Sequence, residues 1–398
     1  MRRDVTRTWL YRFGLCIVGL AALAVASPAS AQMNGLQKML DPAVTGSQIE
    51  RLAEMIDADD TQTAVLEDLL SSYQGEHAEA AQRLRDIIRS AQEEAQSSGD
   101  ISVMIDIQRK ALEFYEYRAK LRDSFFDDLK LTLSDEQAEQ WPRFERLNRR
   151  YNLLDEGNNV VSGASVDLVE LVYDELGGAK PSEAMRAEMD RYEVELDQLL
   201  RERWKLNQES IEQVMEAFDS GADMTALQTM QMELFDKGRE SQVKVRDIND
   251  RYARKLALLL EGEEAEEMTD EFNRRSMPQV YASSYAEDGF RTALDISDLT
   301  PEQVDQIEGL QSEYDREADM VRAKWAEALK AWQSDAGLMD MLMNSGGGKE
   351  VREQADAKKE LDERFYTRLR ETLTEDQRSR LPERETAPNW RDEPAFGR

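Results

Sequence analysis

Two stretches of this chain, 240 residues apart, carry matching residues at matching spacing, and that repeat restricts the fold more than any other feature. Leu121, Phe125, Leu129, Leu133, Ser134 and Gln137, followed by Trp141-Pro142, align with Leu361, Phe365, Leu369, Leu373, Thr374 and Gln377, followed by Leu381-Pro382. A third copy lies between them at Ile248, Tyr252, Leu256, Leu260, Glu261, Glu264 and Met268, with Glu at both polar positions and no Pro. Apolar residues four apart share one face of an α-helix, whereas a strand would need alternation. Repetition at this scale points to duplicated supersecondary units, each burying its apolar face against a neighbour.

The matched register ends the second arm of a helical hairpin in each copy. Glycine and small polar residues mark the tips: Ser97-Ser98-Gly99-Asp100, Asp219-Ser220-Gly221 and Asn344-Ser345-Gly346-Gly347-Gly348. Such clusters end helices and reverse the chain. The first arms correspond as well. Leu69, Tyr73 and Leu84 align with Leu310, Tyr314 and Trp325 at an offset of 241, and Trp204 is the expected middle counterpart of Trp325. The expected fold is all-α: three successive long antiparallel helical hairpins at 48–150, 164–281 and 295–383, forming an elongated bundle or coiled-coil-like array. Asp155 to Ser165, with Gly157, Asn158, Asn159 and Gly163, reads as a linker, followed by a short helix starting at Val166. Residues 384–398 read as a flexible tail.

The N-terminus has a different character. Arg2, Arg3, Arg7 and Arg12 precede a 14-residue apolar run from Phe13 to Ala26, and Ala29-Ser30-Ala31 supplies small residues for a signal peptidase. Residues 1–31 therefore read as a secretory signal peptide, and the chain as exported to the periplasm or beyond. The run is short for a membrane span, so no stable membrane insertion is expected after cleavage. Cleavage removes four Arg and Asp4, a net +3, taking the formal charge from −31 to −34. It also removes Cys16, the one cysteine, so disulfides and thiol chemistry are excluded for the mature chain. With 51 basic against 82 acidic residues, nucleic acid is excluded as a partner, because phosphate binding needs a basic footprint.

One motif recurs within the repeat. Leu133-Ser134-Asp135-Glu136-Gln137, Leu299-Thr300-Pro301-Glu302-Gln303 and Leu373-Thr374-Glu375-Asp376-Gln377 share the pattern L-[S/T]-x-x-Q. Ser or Thr caps free N–H groups at a helix start, and Gln three residues on reaches back to the cap residue's own N–H, which makes a capping box. Pro301 falls at the first helical position, where its missing donor costs nothing. The leading segment of hairpin one, Ala58-Asp59-Asp60-Thr61-Gln62, keeps only the Gln. Two copies bracketing one hairpin, at Leu299 and Leu373, resemble the Spy/CpxP family of periplasmic helical proteins, known for a repeated LTxxQ motif. The resemblance covers residues 299–382 best and 48–150 in part. It implies a secreted helical binding protein: an envelope-stress chaperone, a regulator of sensor kinases or a metal-responsive protein.

Reaction chemistry finds little material. His77 is the one histidine, so neither a His-ligated metal cluster nor a catalytic triad is expected, and it reads as a solvated helical residue. Asp57-Ala58-Asp59-Asp60-Thr61 begins like a calcium loop, but Gln62 stands where the required glycine would be. Met339, Met341 and Met343 do not share a helix face, and they read as gap-filling core or tip residues rather than a copper site. Trp325 and Trp332, seven apart, read as packing against the facing arm. Gly346 to Gly348 precede Lys349, but no strand leads into them, so a phosphate loop is not expected. No catalytic, cofactor-binding or metal residue is assigned, and no cofactor is expected. The expected activity is non-enzymatic: an exported protein that binds other proteins, or itself as a homo-oligomer, as an envelope-stress chaperone or regulator. The alternatives are a coiled-coil scaffold or assembly component of the envelope, and a cation- or metal-responsive envelope protein.

Overall fold

A computed structural model describes residues 40–98, 102–154, 159–175, 181–220, 224–344 and 346–382. Residues 1–31, expected to be a signal peptide, residues 384–398, expected to be a tail, and Gly99, Asp100 and Gly221 of the first two expected hairpin tips lie outside the described residues. The described chain is all-α, and no strand occurs in it. It divides into two compact units. One holds the residues up to 158 together with 193–234, and the other holds 159–192 together with the residues from 235 onward.

In the first unit a short helix, α1 (Gly46–Met55), precedes the two arms of hairpin one, α2 (Asp60–Ser98) and α3 (Ser102–Leu131). Asp57 turns the chain between α1 and α2 with φ of 52°, and Asp59 then caps α2 by accepting from the Gln62 N–H at 2.8 Å. One turn of helix, α4 (Asp135–Ala138), leads into α5 (Trp141–Leu153), with Pro142 in its first turn. Apolar faces of α1, α2, α3 and α5 meet in one core containing Leu52, Leu66, Tyr73, Phe125, Leu129 and Phe144. Buried ion pairs tie α5 to α7 (Glu183–Asp219): Arg150 to Glu193 at 2.8 Å and Arg149 to Asp197 at 2.6 Å. Each of these carboxylates has a second cation nearby, Arg143 and Arg201 respectively.

In the second unit α6 (Leu168–Glu175) precedes the bases of α7 and α8 (Met224–Ala257). These run antiparallel, with Glu188 against Lys255 at 2.6 Å and Tyr192 against Asn249 at 2.9 Å. Next come α9 (Glu263–Ser276), α10 (Pro278–Tyr281) and α11 (Tyr285–Leu294). Hairpin three is α12 (Pro301–Asp335) against α14 (Lys349–Thr372), with a short tip helix α13 (Leu338–Met343) and a closing turn α15 (Glu375–Arg378). Its core joins α11, α12 and α14 through Phe290, Ile307, Tyr314, Phe365 and Leu369. Trp325 packs with Val351 and Ala355 of the opposite arm. At the tip Gly347 has φ of 84°, and a Cβ there would lie 2.7 Å from the Val351 side chain, so only glycine fits.

The repeated module is larger than a hairpin. A short capped helix precedes the first arm in all three copies, with Thr45 and Ser284 forming capping boxes for α1 and α11 and Asp167 accepting from the Val169 N–H ahead of α6.

Residues 159–166 are not a solvated linker. Val161, Gly163, Ala164 and Val166 are buried. Three amides supply the hydrogen bonds that an irregular buried backbone needs. Gln242 Oε1 accepts from the Val160 and Val161 N–H groups at 2.7 and 3.1 Å, and Gln333 Oε1 accepts from Ser162 N–H at 3.0 Å. Asn249 Nδ2 donates to the carbonyls of Gly163 and Val166 at 2.8 and 3.0 Å.

Candidate functional site

The three L-[S/T]-x-x-Q segments lie at hairpin bases, and each forms a capping box. The hydroxyls of Ser134, Thr300 and Thr374 accept from the backbone N–H of Gln137, Gln303 and Gln377 at 3.3, 3.2 and 3.4 Å. The three glutamine carbonyls accept in return from the cap N–H groups, all at 3.0 Å. Leu373 is buried in the hairpin-three core, while Leu133 and Leu299 pack partly buried against theirs.

The glutamines also bind each other. In hairpin three Gln303 Nε2 donates to Gln377 Oε1 at 2.9 Å, and Gln377 Nε2 donates to Gln303 Oε1 at 3.4 Å. The second N–H of each goes to a backbone carbonyl of the opposite strand of chain: Gln303 to Thr372 at 2.8 Å, Gln377 to Asp298 at 3.1 Å. Both amides are thereby saturated, with two donations and two acceptances each.

Hairpin one repeats the clasp with Gln62 and Gln137, which exchange bonds of 3.0 and 3.1 Å and donate to the carbonyls of Thr132 and Ile56. Gln62 is the one motif residue its leading segment retained, and the clasp is the reason it matters. A capping box alone accepts Glu or Gln. A clasp requires an amide, because a carboxylate has no N–H to offer the facing carbonyl. Hairpin two has Glu264 at the corresponding place, and the residue ahead of α9 is Gly262, with φ of 59° and no side chain to cap the helix.

A second repeated element lies one layer deeper. Tyr73 stacks on Phe125, Tyr192 packs on Tyr252 and Tyr314 meets Phe365 edge-on, with ring centroids 4.8, 5.4 and 5.5 Å apart. Seven residues before each tyrosine stand Leu66, Met185 and Ile307, and four after each second ring stand Leu129, Leu256 and Leu369; all six are buried. This register places Arg203, not Trp204, opposite Trp325 in the repeat. Trp204 stacks instead on Tyr115 at 5.7 Å, with the Arg122 guanidinium over its ring.

Each tyrosine hydroxyl is satisfied differently. Tyr73 accepts from Ala43 N–H at 2.9 Å, and Tyr192 donates to Asn249 Oδ1 at 2.9 Å. Tyr314 donates to Asp362 at 2.6 Å, accepts from Lys358 at 2.9 Å and lies 3.0 Å from the Ser284 hydroxyl. Burial beside Asp362 pushes the Tyr314 phenol far above its ordinary range, so it stays protonated and donating. Lys358 completes a buried triad with two bonds to Asp362, of 2.7 and 2.9 Å. Nearby, Arg322 pairs with Glu287, the capping-box residue of α11. These polar groups are spent on each other, which makes them structural.

His77 is not the solvated residue its helical setting suggests. It is 3% exposed, set between Tyr73 and Phe114. Its counterparts in the other copies, Leu196 and Ala318, are core residues too. Met341 is buried, whereas Met343 projects from the third tip. Among the described residues no group of three or more His, Cys, Asp or Glu is placed to hold a metal ion, and no helix is long and apolar enough to cross a membrane. No family model, curated protein or solved structure matches the chain.

Proposed function

We propose that this chain is exported and works without catalysis, binding other proteins as an envelope-stress chaperone or regulator. The observation that carries this reading is hairpin three, bracketed by two L-[S/T]-x-x-Q segments whose glutamines meet at its base; that motif is what resembles the Spy/CpxP family. Two further features support it. Tyr314, Lys358 and Asp362, the buried polar cluster of hairpin three, bond one another. Leu131 and Leu258 occupy the same place in the repeat, two residues after Leu129 and Leu256, and are 85% and 84% exposed. Apolar side chains left bare at repeated positions suit contact with another polypeptide. The strongly negative net charge, −31 for the full chain and −34 without residues 1–31, adds repulsion between copies, which keeps such a surface soluble.

The test is suppression of aggregation of a chemically unfolded client, read by light scattering across salt concentrations. Suppression at equal or lower molar ratio, weakened in Leu131→Ser with Leu258→Ser, is the expected result. No suppression at any salt concentration overturns the chaperone reading. Stable self-assembly without client binding marks a scaffold instead, and saturable calcium, copper or zinc heats mark a cation binder.

A further inference from the structure

We propose that His77 makes hairpin one the acid-labile part of this chain, so that mild acidification loosens α2 and α3 while hairpin three stays closed. The inference rests on packing within hairpin one and is independent of the binding activity proposed above.

The imidazole occupies a position that the rest of the molecule reserves for apolar side chains. Four residues after the repeated first-arm tyrosine, the other two copies have Leu196 and Ala318, at 1% and 0% exposure. His77 is nearly as buried, at 3%. Its Nε2 has no hydrogen-bond partner. Its ring lies 6.2 Å from that of Tyr73 on its own helix and 5.8 Å, edge-on, from that of Phe114 on α3. A neutral imidazole fits such a site; an imidazolium would be buried without an anion.

The ionic surroundings work in the same direction. Arg118 on α3 and Arg85 on α2 are the charged groups acting on His77, and both are cations. Asp41, in the segment before α1, acts on Arg118. Tyr73, whose ring lies beside His77, is itself held protonated by burial. Burial, with Arg118 and Arg85 adding to it, pushes His77 down to about 4 from its ordinary 6.5. An opened hairpin restores the ordinary value. Below pH 6.5 the open form therefore binds the proton and the closed form does not, until about pH 4. Across that window the open population rises by up to about tenfold per pH unit, and below it the effect levels off. Hairpin three has Ala318 at this place and lacks the device.

The chain contains one histidine, so an untagged full chain labelled with 13C-histidine gives a single imidazole resonance to titrate. The expected folded-state midpoint is near 4. Hydrogen exchange followed in parallel should speed up in α2 and α3 between pH 6.5 and 4 relative to α12 and α14. His77→Leu, and His77→Ala as the residue hairpin three uses, should each remove that difference. A titration midpoint near 6.5 in the folded chain overturns the proposal without any variant. So does equal acid loosening of the two hairpins, or acid loosening of hairpin one that persists in either variant.

Discussion

Gln303 and Gln377, 74 residues apart in the chain, exchange amide hydrogen bonds across the base of hairpin three, and each also binds the backbone beside the other. The arrangement links two helix caps into one structure: each glutamine's oxygen serves its own cap and its partner, and each nitrogen reaches the opposite arm. A local feature that ordinarily contributes about 1 kcal/mol to one helix becomes a long-range contact that sets the pairing of two arms.

Gln377→Glu should separate these roles. Glutamate still accepts from the Thr374 N–H, so the cap survives. It offers no donor to Asp298 O or Gln303 Oε1, and it places negative charge against both oxygens. A loss of about 1–3 kcal/mol is expected in urea unfolding, with a coupling of at least about 0.5 kcal/mol to Gln303→Ala. Additive losses would show that the two glutamines act only as separate caps.

The buried triad of hairpin three should respond asymmetrically. Lys358→Met leaves Asp362 buried without its cation, and about 3–5 kcal/mol of stability is expected to go. Lys358→Met with Asp362→Leu removes both charges and should recover most of the loss. Equal instability of the single and double variants in denaturant unfolding would show that the lysine acts through packing alone.

Two helical glycines provide a matched comparison. A Cβ on Gly289 would lie 2.7 Å from Tyr366 Cε2, and that ring is fully buried with its hydroxyl bonded to Pro382 O at 2.6 Å. Gly289→Ala should therefore cost about 1–3 kcal/mol. Gly309 lies on an open face of α12 with nothing within 4 Å of a Cβ. Gly309→Ala should raise stability by about 0.5–1 kcal/mol. Melting temperatures moving in the same direction for both variants would contradict the packing described at Tyr366.

Asn249 holds residues 163 and 166 by their carbonyls and accepts from the Tyr192 hydroxyl. Asn249→Ala leaves three buried polar groups without this partner, and at least about 2 kcal/mol of destabilisation is expected. Limited proteolysis should then cut within 159–166, which the wild-type chain protects. Unchanged cleavage would show that Gln242 and Gln333 suffice to hold the segment.

What could be read directly was the local grammar. Four-residue apolar spacing and the glycine clusters already implied paired helices, and L-[S/T]-x-x-Q already implied three capped helix starts. The register of the second arms was legible from Leu121 and Leu361 onward. Hairpin two was harder, because its first arm keeps Met185 and Tyr192 but substitutes freely around them, and the nearest tryptophan, Trp204, is one residue out of step.

These features follow from the sequence because helix periodicity and capping act over three or four residues, and neighbours along the chain suffice to specify them. Tertiary structure decided the rest. A capping glutamine looks the same whether or not a second one faces it, and only the pairing of the arms brings Gln62 to Gln137 and Gln303 to Gln377. Residues 155–165 read as linker because their composition is that of a turn, but at least residues 160–163 and 166 are held by side chains 81 to 171 positions away. His77 reads as a surface residue on its own helix, and it is buried because α3 lays Phe114 against it. In each case the deciding partner is far off in the chain, and burial and hydrogen-bond satisfaction are properties of the packed pair, not of either segment alone.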